Sequence, residues 1–245
     1  MRILSAILLA LIPTTGAADT ITAARFSDPT DHYTHGVLGD TKEWGALEID
    51  ASIGGPSNGQ TQLRLRRNTT FIYRLPLDHV FEDIAPRLAD VTGDSLPEVM
   101  VVETDVRRGA ALAIYGSRGK IAQTPHIGRS HRWLAPVGAV DLDGDGHIEI
   151  AYVDRPHLAR TLRIWRFANN TLTHVADQPG LTNHRIGEDH ISGGIRTCNG
   201  QPEVITANAD WTRLVASTLS NGRITIRDIG PHTGPASFSA ALACR

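Results

Sequence analysis

Short apolar runs, rather than the stripes of amphipathic helices, dominate the hydrophobic pattern of this chain. Four of these runs begin at a glutamate: Glu48-Ile49, Glu98-Val-Met-Val-Val102, Glu149-Ile-Ala-Tyr-Val153 and Glu203-Val-Ile205. The four glutamates are separated by 50, 51 and 54 residues. Runs rich in β-branched residues predict short β-strands, and the regular spacing predicts an internal repeat of about 50 residues.

Each repeat contains further strand-like runs besides the one that begins at the glutamate. They include 111–115 in the second repeat, 161–165 and 171–175 in the third, and 213–217 and 223–227 in the fourth. Four short strands per repeat, with little helical periodicity, are typical of a β-propeller blade. The sequence therefore predicts an all-β fold, a small β-propeller of four four-stranded blades, with five blades as the alternative.

The two ends of the domain bear on the number of blades. Ile21–Phe26 and Ser237–Ala241 both read as strands. Pairing between these two runs would close the ring, either by completing the fourth blade or by forming a small split fifth blade.

We call the four runs that begin at a glutamate the marked runs. The loop before the third marked run has the composition of a cation site. Asp141-Leu-Asp-Gly-Asp-Gly-His-Ile-Glu149 places three aspartates at alternate positions, and its glycines allow the tight curl that brings them together. An EF-hand is excluded because position 12 is Tyr152 and a strand follows instead of a helix. We predict a calcium hairpin with ligands from Asp141, Asp143, Asp145, the carbonyl of His147 and Glu149. An acidic turn that binds no metal is the alternative.

Weaker copies of this loop precede the other marked runs. The second copy keeps Asp90, Asp94 and Glu98, but Thr92 replaces an aspartate, which leaves a second calcium site open. The first copy, residues 40–48, is more eroded, and the fourth copy, residues 196–203, has lost its acidic ligands.

The pattern Asp-x-Asp-Gly-Asp-Gly-x-x-Glu followed by an apolar strand resembles the FG-GAP or VCBS repeat of integrin α-chain-like propellers. The resemblance is strong at 141–153, fair at 90–102 and weak elsewhere. It implies a propeller whose hairpins hold calcium, with ligand positions on Asp141, Asp143, Asp145 and Glu149 and partly on the second copy. Proteins of this kind include interaction modules and enzymes, so the resemblance leaves the function open.

The N-terminal residues and the net charge indicate where the protein is located and which partners are excluded. Arg2 followed by the mainly apolar run 3–12 and small residues up to Ala18 predicts a signal peptide at 1–18 and a single domain at 19–245. No other segment is apolar enough to span a membrane, so a secreted or periplasmic location is expected. A net charge of −2 without a basic stripe argues against nucleic acid as a partner.

Two cysteines in an exported chain are most simply one disulfide. We predict that Cys198 in the fourth repeat and Cys244 bond to each other and tie the end of the chain to the last blade. A catalytic thiol is the alternative.

Recurrent polar residues suggest a second site. His79, His131 and His190 each precede an inner-strand segment, and Arg87 and Arg196 lie in comparable stretches. If these positions face a central channel, they can bind an anionic ligand or a transition metal. The alternative is that they cap strand ends by hydrogen bonds.

The sequence favours a calcium-stabilised propeller that acts as a binding module for a protein or glycan ligand. The alternative is an enzyme on the same scaffold, acting on a polysaccharide or other anionic substrate in the channel. A structural subunit of an envelope complex is a third hypothesis. No residue is assigned a catalytic role, and the sequence does not decide whether the protein is an enzyme.

Overall fold

The computed structural model describes residues 19–54 and 67–245, and the predicted signal peptide lies outside this part of the chain. The described residues form antiparallel strands and a short C-terminal helix, as the all-β prediction expects. In chain order these elements are β1 (Thr20–Thr30), β2 (Glu43–Ile53), β3 (Arg67–Arg74), β4 (His79–Phe81), β5 (Arg87–Ala89), β6 (Glu98–Asp105), β7 (Gly109–Gly116), β8 (Gly119–Gln123), β9 (Leu134–Val140), β10 (Ile148–Asp154), β11 (Thr161–Ala168), β12 (Thr171–Pro179), β13 (Leu181–Thr182), β14 (Gly194–Thr197), β15 (Pro202–Asn208), β16 (Arg213–Ser220), β17 (Arg223–Pro231) and α1 (Pro235–Leu242).

The strands form three sheets. In the first sheet, β2 pairs with β1 and β3, and β6 pairs with β7, which pairs with β8. A single residue pair, Trp44 opposite Phe81, joins β2 to β4 and so links the two halves. The second sheet has the order β12-β11-β10-β9, and the third runs from β13 and β14 through β15 and β16 to β17.

β6, β10 and β15 contain the marked runs, and we call them the marked strands. The strand that precedes each of them in the chain and pairs with it differs between units. In the third unit it is the continuous strand β9, whereas in the second and fourth units it is split into β4 and β5 and into β13 and β14. The prediction of four strands per unit fits the third unit. In the first unit the described residues form only β1, β2 and β3.

Neighbouring sheets pack side by side and bury the marked strands on both faces. β7 and β8 contact β9 and β12, and β11 and β12 contact β13 and β17. Every residue of β6 is buried, which explains why its sequence is a continuous apolar run instead of an alternating one. Apolar clusters that include Leu112 with Ile150, and Leu162 with Val204, lie between adjacent sheets. This arrangement is consistent with a β-propeller.

The first unit begins its second strand at a different glutamate from the predicted one. Glu48 lies in the middle of β2 and pairs with Arg25 at the surface. Glu43, the first residue of β2, is buried and accepts backbone N–H groups from Thr34 at 3.3 Å and His35 at 3.0 Å. Glu98 and Glu149 make the same kind of contact, so Glu43 is the equivalent residue and the marker at Glu48 was wrong.

The predicted pairing of the chain ends is also wrong. Residues 235–242 form the helix α1, with Pro at its first turn, and β1 pairs with β2 instead. Phe238 and Ala241, three residues apart, bury one face of α1 against Ile205 and Leu214. Proline at the start of an alanine-rich segment is a helix signal that the strand interpretation overlooked.

The predicted disulfide is present. Cys198, in the turn after β14, bonds to Cys244, with a Cα–Cα distance of 5.7 Å and a sequence separation of 46. Arg196 strengthens the same junction by donating to the carbonyl of Ala241 at 2.6 Å. On the chain-entropy account, a cross-link over such a loop stabilises the fold by about 4 kcal/mol. No helix among the described residues has the length and apolar character needed to cross a membrane.

Candidate functional site

The loop between β9 and β10 is curled around the carboxylate of Asp141. This carboxylate accepts the N–H groups of Gly144 at 2.7 Å and Gly146 at 2.9 Å. Both glycines have a positive φ, 79° and 86°, where other residues are strained. The turn chemistry read from the sequence therefore matches the observed backbone.

A cation from the chain itself lies among the predicted calcium ligands. Arg166 on β11 contacts Asp143 at 2.7 Å, Asp145 at 2.8 Å and Glu149 at 2.6 Å. Arg166 stands directly opposite Glu149 in the β10–β11 register, which places its guanidinium over the loop. Burial raises the pKa of Glu149, and Arg166 acts in the opposite direction. The sequence analysis did not predict these three ion pairs, although the pairing of Glu149 with Arg166 follows from the register of the β10–β11 hairpin.

The remaining oxygen geometry still fits a hard cation. Asp141, Asp143 and Glu149 each offer an oxygen, and these oxygens lie within 4.8 Å of one another. One oxygen of Asp143 is buried and has no hydrogen-bond partner, which is costly unless a cation or water satisfies it. Asp145 is outside this group: one of its oxygens accepts the N–H of His147 and lies near its imidazole, and the other contacts Arg166.

The second loop is held mainly by backbone N–H groups, with the hydroxyl of Thr92 also donating to Glu98 at 3.4 Å. Asp90 accepts the N–H groups of Gly93 and Ser95, and Glu98 accepts that of Val91 at 2.9 Å. Asp94 accepts from the N–H of Leu96. Among the described residues, no cluster of metal-ligand atoms forms in this loop. Gly116, two residues past Ile114 on β7, occupies the position equivalent to Arg166, so β7 supplies no guanidinium to this loop.

In the fourth loop, two arginines bind the buried glutamate, where the third loop has one. Glu203 lies between Arg196, at 2.7 Å, and Arg227, at 2.6 Å. Burial raises the pKa of Glu203, but hydrogen bonds from the two arginines outweigh this effect and bring it below its usual range. Arg196 is therefore bound to Glu203 and the C-terminal helix rather than exposed in a channel.

The structure places the three histidines predicted for the channel in three surroundings. His79 lies beside Asp105 and His126. His131 stacks on Tyr33 with a ring separation of 4.7 Å. His190 is exposed at the surface beside acidic residues of its own loop. Arg87 pairs with buried Asp83 at the start of β5.

A pocket of about 230 Å³ does form where four loops meet, and we call it the histidine pocket. The loops are 31–42, 124–133, 155–160 and 183–193. Its polar wall consists of His35, His131, Arg132, Arg155 and His157, and its apolar wall consists of Val37, Trp133, Leu158 and Ile186. Backbone contacts fasten the loops to each other: Gly187 N–H donates to Val37 at 3.1 Å, and His131 N–H donates to the Tyr33 hydroxyl at 2.7 Å.

His157, in the wall of this pocket, rests on a second, buried histidine, His184. Nε2 of His157 lies 2.9 Å from Nδ1 of His184, and Nε2 of His184 lies 2.9 Å from the carbonyl of Glu188. His184 must donate to that carbonyl, so its Nδ1 accepts from His157. Burial, and then the neighbouring His184, lower the pKa of His157 to about 4. Burial lowers the pKa of His184 as well.

A buried carboxylate orients a third histidine. Nδ1 of His35 donates to Glu82, which is 2% exposed, and the second oxygen of Glu82 accepts from Thr104 at 2.7 Å. Trp133 donates its indole N–H to the carbonyl of Glu82 at 2.8 Å. Among the described residues, Nε2 of His35 has no hydrogen-bond partner, so it is available to a molecule in the pocket.

Only one of the two arginines at the rim is free of a carboxylate. Arg155 makes a bidentate pair with Asp154, with both distances 2.9 Å. Arg132 is half-buried, and its one hydrogen bond within the described chain goes to the carbonyl of His131. Arg132 is therefore the cation that can receive an anionic group.

Comparisons with known proteins give few matches. No family model matches the chain, and no curated protein matches it significantly. Among solved structures it is similar to an exo-β-1,3-galactanase from Phanerochaete chrysosporium, with 14% identity and a TM-score of 0.42 over 86% of this chain and 49% of that one. It is also similar to a GH43 β-xylosidase/α-arabinofuranosidase from a compost microbial metagenome, with 15% identity and a TM-score of 0.34 over 88% and 81% of the two chains. The chain thus spans about half the length of the galactanase.

Removing the Arg166 guanidinium should destabilise the fold. In Arg166→Met, the fully buried carboxylate of Glu149 loses its charged partner, so we expect the free energy of unfolding to fall by about 3 kcal/mol. Urea denaturation measures this loss. Arg223→Met, at an exposed arginine of β17, is the matched control, and equal midpoints for the two variants would contradict the role of Arg166.

His157 should make stability depend on pH. The pKa of His157 is about 4 in the folded protein and near 6.5 in the unfolded chain, so the unfolded chain takes up the proton first on acidification. We expect the stability to fall between pH 6.5 and about 4, and less steeply in His157→Gln. Melting temperatures measured across this range test the prediction, with exposed His32→Gln as control; parallel curves for the wild type and His157→Gln would refute it.

Proposed function

We propose that this chain is a binding module that takes a small anionic ligand, such as an acidic sugar, in the histidine pocket. The observation that carries the proposal is the convergence of four loops on a pocket with one unpaired guanidinium, that of Arg132. A concave site with apolar walls and a few placed polar groups is the usual form of a small-ligand site. A disulfide is compatible with a secreted or periplasmic setting for such a protein.

The polar groups of the pocket suit a ligand with one charge and several hydroxyls. Arg132 offers a charge-assisted hydrogen bond to a carboxylate. Nε2 of His35 has no partner among the described residues, and His157, with its pKa lowered to about 4, is neutral near pH 7, so both can exchange hydrogen bonds with ligand hydroxyls. Leu158 and Ile186 are exposed at the rim and supply apolar surface for the body of the ligand.

Calorimetric titration with glucuronate and galacturonate tests this proposal, with glucose, galactose and xylotriose as neutral comparisons. We expect the acidic sugars to bind and Arg132→Gln to weaken them at least about tenfold, as loss of a charge-assisted hydrogen bond does. Arg129→Gln, three residues away and outside the pocket, is the matched control.

Equal binding of neutral and acidic sugars would overturn the anionic preference. An equal loss in Arg129→Gln would place the binding elsewhere. Absence of binding by all five sugars would overturn the proposal of a sugar-acid site.

The second candidate is an enzyme that uses the same pocket, and the His35–Glu82 pair favours it. A buried carboxylate that fixes one imidazole nitrogen leaves the other as a general base for a hydroxyl or a water molecule. Incubation of the wild type and His35→Gln with oligogalacturonates distinguishes the two functions. Turnover by the wild type that is lost in His35→Gln supports the enzyme, and binding without turnover supports the binding module.

We also propose that the loop 141–149 binds calcium, with Asp141, Asp143 and Glu149 as side-chain ligands. The unpartnered buried oxygen of Asp143 supports this proposal. Bound calcium would neutralise the loop and brace the β9–β10 hairpin, a structural role. Because Arg166 already supplies positive charge there, the affinity should be in the weak, extracellular range.

Calcium should raise the melting temperature of the wild type but not of Asp143→Ala. Binding only to the folded state stabilises it in proportion to the logarithm of the calcium concentration above Kd. Thermal unfolding in calcium and in chelator measures the shift, and Asp94→Ala in the second loop is the control. No shift in the wild type, or an equal loss in Asp94→Ala, would contradict the site.

A further inference from the structure

A group of three metal-ligand side chains lies outside the histidine pocket and the acidic loop. His79 begins β4, Asp105 ends β6, and these two residues stand opposite each other in the β4–β6 register. His126 follows β8 in a segment that is fastened to β7, where Ile127 N–H donates to Ala110 at 3.0 Å. One nitrogen from each histidine and one oxygen of Asp105 lie within 4.8 Å of one another.

Hydrogen bonds leave the same nitrogen of both imidazoles available. Nδ1 of His126 lies 2.7 Å from the carbonyl of Gly109 and must donate to it. Nδ1 of His79 lies 2.8 Å from the carboxylate of Asp78 and donates to that group. Each ring therefore carries its lone pair on Nε2. Metal-binding histidines are held in this way, with the distal N–H donated to a carboxylate or a carbonyl.

The three groups are close but not bonded to each other. Nε2 of His79 lies 3.8 Å from Oδ2 of Asp105, too far for a hydrogen bond. The other oxygen of Asp105 accepts the N–H groups of Arg107 at 2.8 Å and Arg108 at 3.0 Å, which fixes the carboxylate. A tetrahedral ion with ligand bonds of about 2.1 Å needs its donors about 3.4 Å apart, so donors now within 4.8 Å must approach each other by at most about 1.4 Å.

We propose that His79, Asp105 and His126 form a zinc site. Two neutral imidazole nitrogens and one carboxylate oxygen are the donor set that zinc prefers over calcium or magnesium. Three protein ligands leave a fourth position for water. Asp105 is 7% exposed, whereas both histidines reach the surface, so the site is anchored at its base and open to solvent.

Arg108 competes with the metal for Asp105. Its Nε donates to Oδ2 of Asp105 at 2.6 Å, the same oxygen that faces His79. The Arg108 side chain is 59% exposed, so it can turn into solvent when an ion enters. Removal of Arg108 therefore distinguishes two possibilities. If Arg108 and Asp105 form only a structural ion pair, the variant will bind no zinc. If Asp105 is a metal ligand, loss of the competing guanidinium will tighten zinc binding.

Calorimetric titration of the chelator-treated full chain with zinc chloride tests the proposal. We expect one zinc per chain, at least about tenfold weaker binding in His126→Gln and His79→Gln, and tighter binding in Arg108→Gln. Cobalt(II) should give the strong visible absorption of a four-coordinate site in the wild type, and His126→Gln should lose it.

The matched controls are His190→Gln, at an exposed histidine beside acidic residues, and Asp94→Ala, at a carboxylate of the second loop that belongs to neither metal-ligand group. Both should bind zinc as the wild type does. Circular dichroism and melting temperature establish that each variant is folded. Absence of zinc binding, unchanged affinity in folded His126→Gln, or weaker binding in Arg108→Gln would each overturn the site.

Discussion

The fold depends on burying a glutamate at the start of the second strand of each unit. Glu43, Glu98, Glu149 and Glu203 are all less than 10% exposed, and an unpaired carboxylate at such a depth costs several kcal/mol. Each unit compensates this cost differently. Backbone N–H groups bind Glu43, Glu98 combines two N–H groups with the hydroxyl of Thr92, Glu149 combines one N–H with Arg166, and Glu203 relies on two arginines.

This constraint also shapes the histidine pocket. Glu43 accepts the N–H of His35, and Glu82 binds the ring of the same residue, so two buried carboxylates fix the backbone and the side chain of one pocket residue. Trp133 in the apolar wall donates to the carbonyl of Glu82, so the same residue also positions that wall. The pocket is thus an extension of the polar contacts that close the units, formed where their loops meet.

Most of the strands and the disulfide were predictable because they depend on local patterns. Continuous apolar runs identify β6, β10 and β15, and two cysteines allow only one pairing. The first unit was misread because Glu48 starts an apolar run yet lies in mid-strand, whereas Glu43 is followed by Trp44 and Gly45 and has no such run. The helix at 235–242 was missed because small residues are compatible with both a strand and a helix. The contact of His157 with His184 and the approach of His79 and His126 to Asp105 join distant segments, and no spacing along the chain records such contacts.

The contacts that fasten the loops differ greatly in the length of chain that they span. The bond between Glu149 and Leu142 links residues 7 apart, whereas the bond between His131 and Tyr33 links residues 98 apart. Local contacts form early in folding because they close short loops, and long-range contacts incur a larger loss of chain entropy. The hairpins around the buried glutamates should therefore form before the walls of the pocket come together. The pocket, which joins residues from four loops, can therefore be completed only after the sheets that carry those loops have packed against each other.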